Sequence, residues 1–125
     1  MQSPPTASEL AILQLLWDDG PQTVRQVHDT LAEEKEVGYT TTLKTMQVML
    51  ERGFLTREAQ GRGHLYAAAI AREDTQDKLL DNFLDRTFGG SVKGLVMRAL
   101  GNRKASRKDL QELKDLIDRI ENEKK

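Results

Sequence analysis

Between residues 38 and 66 the chain groups side chains that could contact a nucleic acid. Thr40, Thr41, Thr42 and Thr45 share a short helical stretch with Lys44, Val48 and Arg52, and Gly53 follows as a C-terminal helix cap. Threonine is a mediocre helix former, so four of them in six residues call for a reason beyond propensity, and capping accounts for one or two. Their hydroxyls can bond phosphates or base edges, Lys44 can reach guanine or phosphate, and Val48 can touch a thymine methyl. A tight turn follows at Gly61-Arg62-Gly63, with Arg62 at its tip suited to a phosphate or the minor groove and Arg57 to the adjacent phosphate. A helix wheel sets Leu43, Met46, Gln47 and Leu50 on the inward side, and Thr41, Lys44, Thr45, Val48 and Arg52 broadly opposite.

The elements that must hold these groups are well punctuated. Thr6-Ala7-Ser8-Glu9 has the form of a capping box and opens a helix with Leu10, Leu13, Leu16 and Trp17 on one face, stopped by Gly20-Pro21. Thr23-Val24-Arg25-Gln26 repeats the pattern and opens a second helix with Val24, Val27 and Leu31 inward. The third helix is expected over about 40–52. From Phe54 to Ala69 the period changes to that of two short strands around residues 59–63, with Leu55, Leu65 and Tyr66 as core contacts and a further short strand at Gln22-Thr23. Helix, helix, helix, hairpin is the order of a winged helix-turn-helix, with the wing at about 56–66.

After Ala71 the composition shifts to helix formers. Three further stripes follow: Leu79, Leu80, Phe83, Leu84 and Phe88, ended by Gly89-Gly90; Val92, Leu95, Val96, Ala99 and Leu100, capped by Ser91; and Leu110, Leu113, Leu116, Ile117 and Ile120 after Ser106. These helices are too few to bury their apolar faces alone, and a second copy of the same segment is the simplest partner. The expectation is a mainly α chain, with a winged-helix domain at 1–71 and a three-helix dimerisation domain at 72–125.

Bulk composition narrows the function classes. The chain has 125 residues, no cysteine and two histidines, so disulfides, thiolate metal sites and cysteine nucleophiles are excluded. His28 and His64 lie in different elements and read as structural residues, His28 with its hydrogen bonds satisfied. No metal, cofactor or enzymatic activity is expected, since no nucleophile–base pair or glycine-rich phosphate loop is present. Neither a membrane span nor a signal peptide is legible, the start Met1-Gln2-Ser3-Pro4-Pro5 being neither basic nor apolar, so a cytoplasmic location without membrane insertion is expected. Net charge is −1, and residues 1–70 carry six lysines and arginines against nine acids. Between Val37 and His64 the balance reverses to +2, so DNA would meet a small positive face on an acidic module. The acidic remainder, with Asp29, Glu33, Glu34 and Glu36, keeps a second reading open: a winged-helix module that binds another protein without specific DNA binding. The Arg103-Lys104 and Arg107-Lys108 cluster reads as a solvated inter-helix loop.

The ordered set of Glu9, Trp17, Tyr39-Thr40-Thr41, Lys44-Thr45, Arg52-Gly53-Phe54-Leu55, Phe88-Gly89-Gly90, Leu95-Val96 and Asp109-Leu110-Gln111-Glu112-Leu113 resembles the penicillinase-repressor family, which includes methicillin-resistance and copper-responsive repressors. The resemblance implies a homodimeric transcriptional repressor on a palindromic DNA operator, with the third helix in the major groove and dimerisation through the C-terminal helices. Leu80, Phe83, Leu84, Phe88, Leu95, Val96, Leu100, Leu110, Leu113, Leu116, Ile117 and Ile120 are then the dimerisation residues. It also implies a membrane sensor-protease system as inducing partner, acting by cleavage in the dimerisation region. Two features depart from the family pattern. Arg98-Ala99 stands where the β-lactam-responsive members have an Asn–Phe bond, so a cut there calls for a different protease specificity. The paired cysteines of the copper-responsive members are absent.

Overall fold

A computed structural model describes residues 3–124; Met1 and Gln2, the first two residues of the N-terminal reading above, and Lys125 lie outside the described residues. The element order is α1 (Ala7–Asp19), α2 (Val24–Ala32), α3 (Tyr39–Glu51), β1 (Leu55–Gln60), β2 (Gly63–Ala68), α4 (Arg72–Phe88), α5 (Val92–Asn102) and α6 (Arg107–Glu123). The chain divides into two compact units between Leu80 and Asp81, within α4 and later than the composition shift at 71/72.

In the first unit the helix starts follow the local code. Both capping boxes are formed: the Thr6 hydroxyl accepts from the Glu9 N–H at 3.2 Å while the Glu9 carboxylate accepts from the Thr6 N–H at 2.9 Å, and Thr23 and Gln26 do the same. Each satisfies two donors that a helix start leaves without partners. The α3 start differs. Its N-cap is Gly38, with no side-chain cap, so none of the threonines serves as the cap.

β1 and β2 pair antiparallel from Leu55 opposite Ala68 to Gln60 opposite Gly63, leaving Gly61-Arg62 as a two-residue loop, tighter than the sequence reading. Gly61 takes φ 58°, a value a side chain would strain, and so Arg62 stands at the tip. Gln22 adds a bridge to Tyr66, with backbone bonds of 2.9 and 2.7 Å, which is the expected third strand reduced to one residue.

The core lies among α1, α2, α3 and the hairpin: Ile12, Leu13, Leu16, Val24, Val27, Met46, Met49, Phe54, Leu55 and Tyr66 are buried. Trp17 closes one side, its indole N–H donating to the Ile70 carbonyl at 3.0 Å, and Arg72 pairs with Asp18. The wheel needs rotating. Thr42, Met46 and Met49 form the buried line of α3, Leu43 and Leu50 are half-buried, and Gln47 is exposed.

The second unit contains the end of α4, then α5 and α6. Ser91 caps α5 as expected, and Ser106, at the expected start of the last helix, caps α6; they accept from the Gly94 and Asp109 N–H groups at 2.9 and 3.0 Å. Phe83 and Phe88 meet edge to face at 5.7 Å. No residue of α5 or α6 is buried. No helix among the described residues is long and apolar enough to cross a membrane.

Candidate nucleic-acid interface

Thr40, Thr41, Lys44 and Val48 are exposed along one flank of α3, and Val48 keeps 39% exposure despite its apolar side chain. Thr45 is half-buried between them. This flank walls an open cleft of about 340 Å³, completed by Thr6, Ser8 and Glu9 at the start of α1. The cleft is lined by hydroxyl residues from the start of α1 and from α3, together with Lys44. Thr6 and Ser8 were legible as a helix start but not as neighbours of α3, because a capping motif carries no information on what the cap faces.

The threonine hydroxyls do not all have the same capacity. Thr45 donates to the Thr41 carbonyl at 2.9 Å, one turn back in the helix. That leaves its lone pairs as acceptors, suited to the amino group of adenine or cytosine and unsuited to a phosphate. Thr40 and Thr41 keep exposed side chains at the start of the helix. Thr42 drops out of the face. It is 2% exposed, and its hydroxyl turns back toward the Gly38 carbonyl at 3.4 Å, so it is a core residue that helix phase places beside Met46 and Met49.

Arg52 also leaves the face. One guanidinium nitrogen donates to both Glu9 carboxylate oxygens at 2.8 and 3.0 Å, the other donates to the Ser3 carbonyl at 2.6 Å, and the group lies 4.4 Å from the centre of the Phe54 ring. Glu9 is 5% exposed, and a carboxylate that far from water needs a cation. This demand outcompetes a surface role for Arg52. The pair spans 43 residues of sequence and ties the end of α3 to the start of α1.

The hairpin presents the remaining cations. Arg62 is exposed at the tip, and Arg57 is exposed on β1 with a 3.5 Å contact to the Tyr66 hydroxyl. His64 lies on β2 opposite Ala59, exposed. His28 departs from the expectation of a satisfied histidine. Its ring meets Tyr39 edge-on at 5.7 Å, and its buried Nδ1 has no hydrogen-bond partner among the described residues.

In the second unit, Phe83, Val96, Leu100, Leu110, Leu113, Leu116, Ile117 and Ile120 are exposed, and Leu84, Phe88 and Leu95 are half-buried. Leu80, also exposed, falls at the end of the first unit. Arg98-Ala99 lies inside α5, both residues exposed.

Residues 5–119 match the penicillinase repressor family. The chain is 25% identical to a penicillinase repressor of Bacillus licheniformis over 122 residues, covering 94% of this chain and 92% of that one. It is 21% identical to the penicillinase repressor of Staphylococcus aureus over 113 residues, 90% of each chain. A transcriptional regulator, BlaI, of Mycobacterium tuberculosis is 33% identical over 67 residues, covering 53% of this chain and 49% of that one. Among solved structures, a transcriptional regulator from Thermotoga maritima aligns with a TM-score of 0.51 at 20% identity, over 94% of this chain and 79% of that chain, a likeness of fold. The family is one of transcriptional repressors and not of enzymes, and this chain, with its mainly helical fold and hairpin wing, belongs to the penicillinase repressor family.

Proposed function

We propose that the chain is a homodimeric, sequence-specific DNA-binding repressor of transcription. It would read a palindromic operator, with α3 in the major groove and the β1–β2 hairpin on the neighbouring backbone. The carrying observation is the exposed face of α3, where Thr40, Thr41, Lys44 and Val48 with Thr45 form a short polar surface with one apolar residue. Such a surface supplies groups for base edges, a phosphate or guanine contact and a thymine methyl. Arg62 and Arg57 on the hairpin would hold the backbone. Support for the repressor role comes from membership of the family.

The uncovered apolar stripes from Asp81 onward support dimerisation, because a solvent-exposed line through Leu110, Leu113, Ile117 and Ile120 gains by meeting its own copy. Two half-site readers joined in this way bind as one unit with a raised effective concentration. A membrane sensor-protease system would act as inducer on the cytoplasmic repressor by leading to a cut in the second unit, with Arg98-Ala99 in α5 as the bond to examine.

Selection of bound sites from random duplex DNA, followed by titration at two salt concentrations, tests this reading. A palindromic site bound by a dimer, with affinity falling steeply as salt rises, is the expected result. Weak, sequence-blind binding would overturn it and turn the search to a protein partner.

A further inference from the structure

One cation beside α3 lies outside the face formed by Thr40, Thr41, Lys44 and Val48. Arg25 is the second residue of α2 and is exposed. The ion pairs among the described residues are Arg52 with Glu9 and Arg72 with Asp18, so Arg25 has none, although Asp29 stands one helical turn along. Its guanidinium carbon lies 4.5 Å from the centre of the Tyr39 ring instead. Tyr39 is the first residue of α3 and keeps 37% exposure, with His28 braced edge-on against its ring at an interplanar angle of 82°. The arginine is therefore held at the end of α3 from which Thr40 and Thr41 continue.

We infer that Arg25, seated on the Tyr39 ring, is a contact to the DNA phosphate backbone at the N-terminal end of α3. The inference rests on the proposed reading of α3 as the helix that enters the groove. A helix in the major groove is flanked by phosphates, so a cation beside its end meets backbone before it meets bases. Arginine on an aromatic face keeps N–H donors for an anion, and its geometry is already fixed, so less side-chain freedom is lost on binding. A lysine or arginine neutralised by a carboxylate would be poorly suited to this role. Arg52, locked to Glu9, is the contrasting case within the same unit.

The test uses the full chain, a duplex carrying the selected site and a scrambled duplex of equal length, titrated from about 50 to 200 mM salt. For Arg25→Gln the expected result is about tenfold weaker binding to both duplexes, and a slope of log affinity against log salt shallower by about 0.9 per half-site. Arg25→Lys restores most of the slope, because a lysine still neutralises a phosphate. Tyr39→Phe keeps the platform and stays within about twofold of wild type, whereas Tyr39→Ala shows part of the Arg25→Gln loss. Unchanged affinity and slope in a folded Arg25→Gln, with wild type binding its site, overturns this inference alone. A loss confined to the selected site with an unchanged slope overturns it too, since that marks a base contact. Wild type that binds neither duplex overturns the reading on which the inference rests.

Discussion

The two units of this chain treat apolar side chains in opposite ways. Up to Leu80, three helices and a hairpin enclose ten apolar residues that are nearly inaccessible to water, and the polar groups left outside form a surface of definite chemistry. From Asp81 onward, α5 and α6 bury nothing, and Leu110, Leu113, Leu116, Ile117 and Ile120 remain open. A unit with its own core can present a polar face without losing its shape. A unit without one would draw its order from association, which is what the proposed dimer supplies. The contrast teaches where to look for each function: recognition on the closed unit, assembly on the open one.

Breaking the open unit should give the largest effect. Ile117→Asp puts a charge in the middle of the α6 stripe, and burying it without a partner should cost about 4 kcal/mol, on the order of a thousandfold in dimer dissociation. Sedimentation equilibrium reads this directly, and a dimer of wild-type strength would show that α6 is not the interface. In the closed unit, Met46→Ala removes a fully buried side chain and should lower stability by about 3 kcal/mol, seen as a lower denaturation midpoint. Arg52→Ala sharpens the comparison within that unit. It leaves the Glu9 carboxylate buried without its cation, and a loss of about 2 kcal/mol is expected in chemical denaturation. If Arg52 were a DNA contact instead, the variant would keep its stability and lose affinity with a shallower salt dependence. The smallest effect belongs to Thr42→Val. The substitution is nearly isosteric and its hydroxyl bond is long, so stability should change by less than about 1 kcal/mol and binding to the selected duplex by less than about twofold. A large loss of affinity would return Thr42 to the DNA face.

Much of the fold could be read from local rules, because local chemistry decides it. The Thr6–Glu9 and Thr23–Gln26 boxes, the serine caps at Ser91 and Ser106 and the glycine turn beside Arg62 each depend on residues a few positions apart. What escaped depends on distant pairs or on helix phase. The partner of Arg52 is Glu9, and no spacing rule connects them. Thr42 and Thr41 are chemically alike and differ only by one step of the helix, which decides between core and surface. Placing Met49 outside the inward set and Gln47 within it reflects the same error of phase. Arg25 gave no signal by itself, since its meaning comes from Tyr39 arriving over the α2–α3 turn.

The most direct measurement compares wild type with Lys44→Ala on the selected duplex, with dimer mass and thermal stability recorded on the same samples. Lys44 is exposed in the middle of the α3 face, so its removal should weaken site binding about tenfold or more while dimer and stability stay unchanged. An affinity equal to wild type would contradict the assignment of α3 as the helix that reads DNA.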